Sequence, residues 1–207
     1  MLNEHAYQLR ELDSTSAAYN IIESASTQSP NFILSTSFGR YSAALLKMVT
    51  DVAPNTPVVW VDSGYNTDET YQHCEQLTEQ LNLNLRIYQP QRSVSHRTAL
   101  GIYPSPEDKG YDEFVEEIKL EPFRRALREL QPSHWLTGIR AEETDHRRSL
   151  GVQSEGPNGI VKIAPLFYWN EMDLTNFMFK HRLPYGVNYR DLTKKSENQE
   201  CGLHCRL

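Results

Sequence analysis

Hydrophobic and polar positions along the chain switch between a helical and a strand period, and small or turn-forming residues mark most of the switches. Up to about Gln28, apolar residues recur at helical spacing, as in one or two amphipathic helices. Asn31 to Ser35 is a short apolar run after a proline and predicts a buried strand. The small polar segment Ser35-Thr36-Ser37-Phe38-Gly39-Arg40-Tyr41-Ser42 follows, and Ala43 to Val49 returns to a helical pattern. Pro57 to Asp62 reads as a second buried strand ending on a carboxylate, and Ser63-Gly64-Tyr65-Asn66 as a turn. Thr67 to Leu81 predicts a helix, with Thr67 as N-cap and Asp68 and Glu69 in the first turn. Leu83 to Tyr88 alternates like a third strand. Gln89 to Tyr111, with three prolines and two glycines, predicts a loop or lid. Phe114 to Leu130 is helical with a break or restart at Pro122. His134 to Ile139 and Ile160 to Ala164 are strand-like, and Asn170 to His181 predicts a capped helix. Beyond Pro184 the chain is polar and irregular.

Strands alternating with helices predict a Rossmann-like α/β fold, a parallel sheet flanked by helices on both faces. The 207 residues suit a single domain, 1–207, with an α/β core over 28–182 and a flexible C-terminal tail over 183–207. Asp and Glu number 27 against 21 Lys and Arg, a net charge of −6, which argues against a general nucleic-acid binder but leaves room for a local basic pocket. No apolar run approaches a membrane span, and the N-terminal MLNEHAYQLRELD is too polar for a signal peptide. With only Cys74, Cys201 and Cys205, the expectation is reduced thiols in a cytoplasmic protein.

Ligands of open parallel sheets sit beyond the carboxyl ends of the strands, and three segments fall there. Ser35 to Ser42 offers hydroxyls, backbone N–H groups and a helix N-terminus to an anion, or else is a plain capped helix start. Asp62-Ser63-Gly64-Tyr65 suits a ribose hydroxyl or base edge with Tyr65 stacking, or else is an Asx-turn. Gly138 to Arg148 carries Arg140, Arg147 and Arg148, fit for a doubly charged oxyanion, with at least one expected on a salt-bridged face with Glu142, Glu143 and Asp145. In the tail, Cys201 lies beside His204 and Arg206, which favour the nucleophilic thiolate. Cys201, His204 and Cys205 are all zinc ligands by type, but three within five residues lack the usual distant second pair, and no metal is expected.

Together these segments resemble the phosphoadenosine-phosphosulfate (PAPS) reductase family of the adenine nucleotide alpha-hydrolase-like superfamily. Ser35-Thr36-Ser37-Phe38-Gly39 is similar to its Ser-x-Ser-Phe-Gly loop, and PVVWVDSGYNTDETY from Pro57 to its strand and Asp-x-Gly-Tyr turn. KLEPFRRAL from Lys119 resembles its Lys-Val-Glu-Pro helix, and GIRAEETDHRRSL from Gly138 its arginine loop. Glu200-Cys201-Gly202-Leu203-His204 matches its C-terminal catalytic motif. The resemblance implies that Cys201, with His204 beside it, attacks the sulfonate of PAPS, and that reduced thioredoxin or glutaredoxin releases sulfite. It also implies substrate contacts from Ser35, Ser37, Phe38, Gly39, Asp62, Gly64, Tyr65, Gly138, Arg140 and Arg147. A homodimer is compatible with the family.

Relatives that reduce adenylyl sulfate (APS) carry a [4Fe–4S] cluster held by four thiolates. Three cysteines, and Phe114-Val115-Glu116-Glu117 where those relatives have an adjacent pair, argue for no cluster and favour PAPS over APS. Leu183 to Glu200 is shorter than in the family and lacks its Gly-Tyr…Gly-Asp…Thr signature. Cys205 is an added thiol, a candidate resolving group for Cys201 or an incidental one. Two rivals remain at this point: an ATP-using superfamily member that modifies nucleic acid with sulfur, and a nucleotide-binding accessory protein without turnover.

Overall fold

The computed structural model describes residues 14–29, 31–102, 104–186, 189 and 191. Helix α1 (Ser14–Gln28) leads into β1 (Phe32–Thr36), α2 (Ser42–Val52), β2 (Pro57–Val61), α3 (Asp68–Leu81) and β3 (Asn84–Tyr88). Two short helices follow, α4 (Val94–Ala99) and α5 (Tyr111–Val115), then a π-helical turn (Glu116–Leu120) running into α6 (Glu121–Leu130). The chain continues through β4 (His134–Leu136), α7 (Asp145–Arg148), β5 (Gln153–Glu155), β6 (Val161–Ile163) and α8 (Glu171–Lys180).

The six strands form one sheet in the order β3-β2-β1-β4-β6-β5. Every pairing is parallel except β5 with β6, so the predicted parallel sheet gains an antiparallel edge. The alternation of side chains along each strand divides the core. Phe32, Leu34, Val58, Trp60 and Leu136 join the cluster formed with α1, α2, α3 and α8. Ile33, Val59 and Trp135 point the other way and pack against Phe123, Ala126 and Leu127 of α6. Both faces are thereby covered, as the apolar strand runs predict.

The predicted caps are in place. Thr67 accepts from the N–H of Thr70, and Asn170 forms a reciprocal capping box with Asp173. Four short elements depart from the sequence expectation. The Gln89–Tyr111 stretch holds α4, capped by Ser93, and is not loop throughout. The π-helical turn runs directly into α6, and Pro122 sits at this junction, in the first turn of α6. Strand β5 and helix α7 come from residues with no clear period. No helix among the described residues is long and apolar enough to cross a membrane.

Candidate active site

Strand order reverses direction between β1 and β4, and the crevice opens at the carboxyl ends of this pair. A cleft of about 480 Å³ lies there. Its walls come from the loop after β1, the turn after β2, the π-helical turn and the loop after β4. Three of the predicted segments thus converge through the topology alone. Of the predicted contacts, Ser35, Ser37, Gly39, Tyr65, Gly138, Arg140 and Arg147 line the cleft. Phe38, Asp62 and Gly64 do not.

Each of those three instead shapes the wall. Phe38 is fully buried, edge-on to Trp60 at 5.1 Å between ring centroids, with a left-handed backbone (φ 51°) that turns the loop. The Asp62 carboxylate is buried and accepts four hydrogen bonds. Gly64 N–H (2.9 Å), Asn66 Nδ2 (2.9 Å) and the Tyr71 hydroxyl (2.8 Å) meet Oδ1, and Gln89 Nε2 (2.8 Å) meets Oδ2. The Gly64 bond is the Asx-turn that the sequence left open. Burial, with the carboxylate beside it, pushes the Tyr71 hydroxyl up to about 12. Gly64 has φ 81°, and a Cβ there would fall 2.6 Å from Val94 Cγ2, so the turn and α4 need glycine at this point.

The β1 loop presents donors to the cleft. Ser35 Oγ accepts from the Trp135 indole at 2.7 Å, leaving its own O–H to donate. Helix α2 starts with no side-chain cap, and the buried Ser42 hydroxyl in its first turn has no hydrogen-bond partner. An oxyanion at this end would meet the helix dipole and that hydroxyl together.

The cationic side is self-neutralised. Arg140 Nη1 pairs with Glu142 and its Nη2 approaches Glu143 at 3.5 Å; Arg147 pairs with the other oxygen of Glu143. Both guanidinium side chains are largely buried. Arg148 instead pairs with Asp145 on the exposed surface, as one of the three arginines was expected to do. Lys119 comes from the π-helical turn, lines the cleft and pairs with Asp191. Arg40 also lines it and makes no ion pair among the described residues. Lys119, Asp191, Tyr189, Glu143, Arg40 and Ser42 were not singled out as contacts. A lysine between Ile118 and Leu120, both buried, was the available signal. Cys201, His204 and Cys205 lie outside the described residues.

The family model of the phosphoadenosine phosphosulfate reductase domain matches residues 31–190, which hold the sheet and the cleft-lining residues apart from Asp191. The chain belongs to the PAPS reductase family. Among the family's curated members, the phosphoadenosine 5′-phosphosulfate reductase of Synechocystis sp. is 34% identical over 223 residues, covering 95% of this chain and 89% of the relative. That of Synechococcus sp. is 38% identical over 172 residues, covering 82% and 74%. The crystal structure of a PAPS reductase from Candida auris in its phosphate complex has a similar fold, with a TM-score of 0.75 at 24% identity, covering 89% of this chain and 87% of that one. The FMN adenylyltransferase of Candida glabrata, in complex with FMN and an ATP analogue, shares the fold more distantly, with a TM-score of 0.54 and 16% identity, covering 79% and 56%.

Proposed function

We propose that this chain reduces 3′-phosphoadenylyl sulfate to sulfite and adenosine 3′,5′-bisphosphate, with thioredoxin or glutaredoxin as reductant, in a cytoplasmic route of sulfate assimilation. The reading is carried by the cleft at the β1–β4 switch point, whose lining brings hydroxyl donors and a helix N-terminus together with Arg40, Lys119, Arg140 and Arg147. That arrangement suits a small, multiply charged nucleotide anion. The relatives' names supply the substrate.

In the proposed reaction the Cys201 thiolate attacks the sulfonate sulfur. The bond from sulfur to the bridging phosphate oxygen breaks, and adenosine 3′,5′-bisphosphate leaves with that electron pair. The product is an S-sulfocysteine on Cys201. A thioredoxin thiolate then attacks the Cys201 sulfur and expels sulfite, leaving a mixed disulfide that the second thioredoxin thiol resolves; two electrons pass from the dithiol to the sulfonate sulfur. The cationic side chains oppose the charge that builds on the leaving phosphate, and His204 is placed by the sequence to hold Cys201 as thiolate. Cys205 in the resolving role would replace the first thioredoxin attack. No iron–sulfur cluster takes part in this scheme.

The test is sulfite release from PAPS and from APS, with thioredoxin, thioredoxin reductase and NADPH, for wild type and Cys201→Ser. Turnover on PAPS that disappears in the variant is expected. Turnover on APS alone overturns the substrate, and nucleotide binding without sulfite from either overturns the reaction.

A further inference from the structure

The Lys119–Asp191 pair differs in kind from the arginine pairs beside it. Glu142 and Glu143 lie within four residues of their partners Arg140 and Arg147, so those contacts are local. Lys119 and Asp191 are 72 residues apart and belong to separate segments. Their side chains are 11% and 9% exposed, and both line the cleft. The chain bearing Asp191 approaches from the β1 side. Gly186 donates its N–H to the Arg40 carbonyl at 3.2 Å and lies so close that a Cβ would sit 2.9 Å from the Gly39 carbonyl. The Tyr189 ring lies 3.7 Å from the place a Gly39 Cβ would take. Asp191 then meets a lysine that the π-helical turn presents.

An ammonium in so dry a place needs a counterion. A sulfate or phosphate oxygen can supply the same charge and accept the same hydrogen bond as the Asp191 carboxylate. We propose that Asp191 is an internal surrogate for the ligand oxyanion on Lys119, so that the pair and an anionic ligand compete for one ammonium. Asp191 thereby sets the affinity of the cleft: an ion pair closed nine times in ten weakens apparent binding about tenfold. The inference rests on the oxyanion-ligand reading above but not on turnover.

The experiment is calorimetric titration of the full chain with adenosine 3′,5′-bisphosphate and, separately, with inorganic sulfate. Wild type, Asp191→Asn, Lys119→Gln and the double variant are compared, and Asp191→Ser serves as a second removal of the charge should the first fail to fold. Asp191→Asn is expected to tighten binding about three- to tenfold. In the Lys119→Gln background the same change is expected to have no effect. Weaker or unchanged binding of both probes in Asp191→Asn overturns the inference, since a carboxylate that merely orients Lys119 would be missed when removed. Tightening seen with sulfate while the nucleotide fails to bind any variant upholds it and overturns the nucleotide function instead.

Discussion

Replacing Asp62 separates a carboxylate that builds the cleft wall from one that touches ligand. Asp62→Ala strands four donors: the Gly64 N–H, the Asn66 amide, the Tyr71 hydroxyl and the Gln89 amide. Gly64 and Gln89 are exposed enough for water to replace part of the loss, whereas Tyr71 is half-buried. Taking each stranded donor at the low end of its usual cost, about 1 kcal/mol, the variant loses about 3–4 kcal/mol. For a chain of this size that is roughly 6–16 °C in Tm. Asp62→Asn keeps an oxygen for the three Oδ1 donors, and the exposed Gln89 amide can turn over to accept from the new NH2, so its loss is about 1–2 kcal/mol. Urea unfolding gives both numbers, and titration with adenosine 3′,5′-bisphosphate gives the affinity of the folded variants. A loss below about 0.5 kcal/mol in Asp62→Ala, together with tenfold weaker nucleotide binding, would refute the wall-building role and make the carboxylate a ligand contact.

Two further outcomes test the same wall and its support. Gly64→Ala combines a left-handed backbone with the 2.6 Å approach to Val94 and should cost about 2–3 kcal/mol; adding Val94→Ala should recover about 1 kcal/mol of it, and strictly additive urea midpoints would contradict the contact. His73 on α3 is buried with its Nε2 unpartnered, and burial holds its pKa below the usual 6.5. The folded state therefore resists a proton that the unfolded chain accepts, so the contribution is whole above about pH 6.5 and is lost as pH falls toward the folded value. Unfolding at pH 8 and pH 5.5 should show His73→Leu gaining on wild type at the lower pH, and an equal difference at both would contradict this.

The sheet and its two faces were legible because β1 and β2 are short, nearly continuous apolar runs, and a parallel sheet buried on both sides leaves few other readings of such runs. Thr67 and Asn170 announced their helices by capping chemistry that needs no tertiary context. What escaped was short or conditional. Strand β5 and helix α7 have three and four residues, too few for a period to show, and β5 exists only because β6 offers it an edge. The cleft residues followed the same division. Arg140 and Arg147 stood out as charge beyond a buried strand, whereas Lys119 was visible only as the head of KLEPFRRAL, and its turn of unusual pitch gave no sign that it meets the cleft. Asp191 owes its place to packing of Gly186 and Tyr189 on a loop some 150 residues away in sequence, which no local pattern reports. Asp62 displayed the residue types of both a ribose contact and an Asx-turn, and only its four donors distinguish them.

The π-helical turn makes the length of its helix uninterchangeable. An extra residue in one turn rotates everything beyond it by about 100° relative to a regular α-helix. On one side of it, Tyr111, Phe114 and Val115 pack into a small cluster with Ile118 and Leu120; on the other, Phe123, Ala126 and Leu127 pack against the sheet. Lys119 stands at the junction and faces the cleft. Deleting one residue from Glu116 to Ile118 would restore regular pitch and force a choice between the two packed faces. The stretch thus behaves like a reading frame: substitutions within it can be absorbed locally, but a single insertion or deletion puts either the cluster or the lysine out of phase.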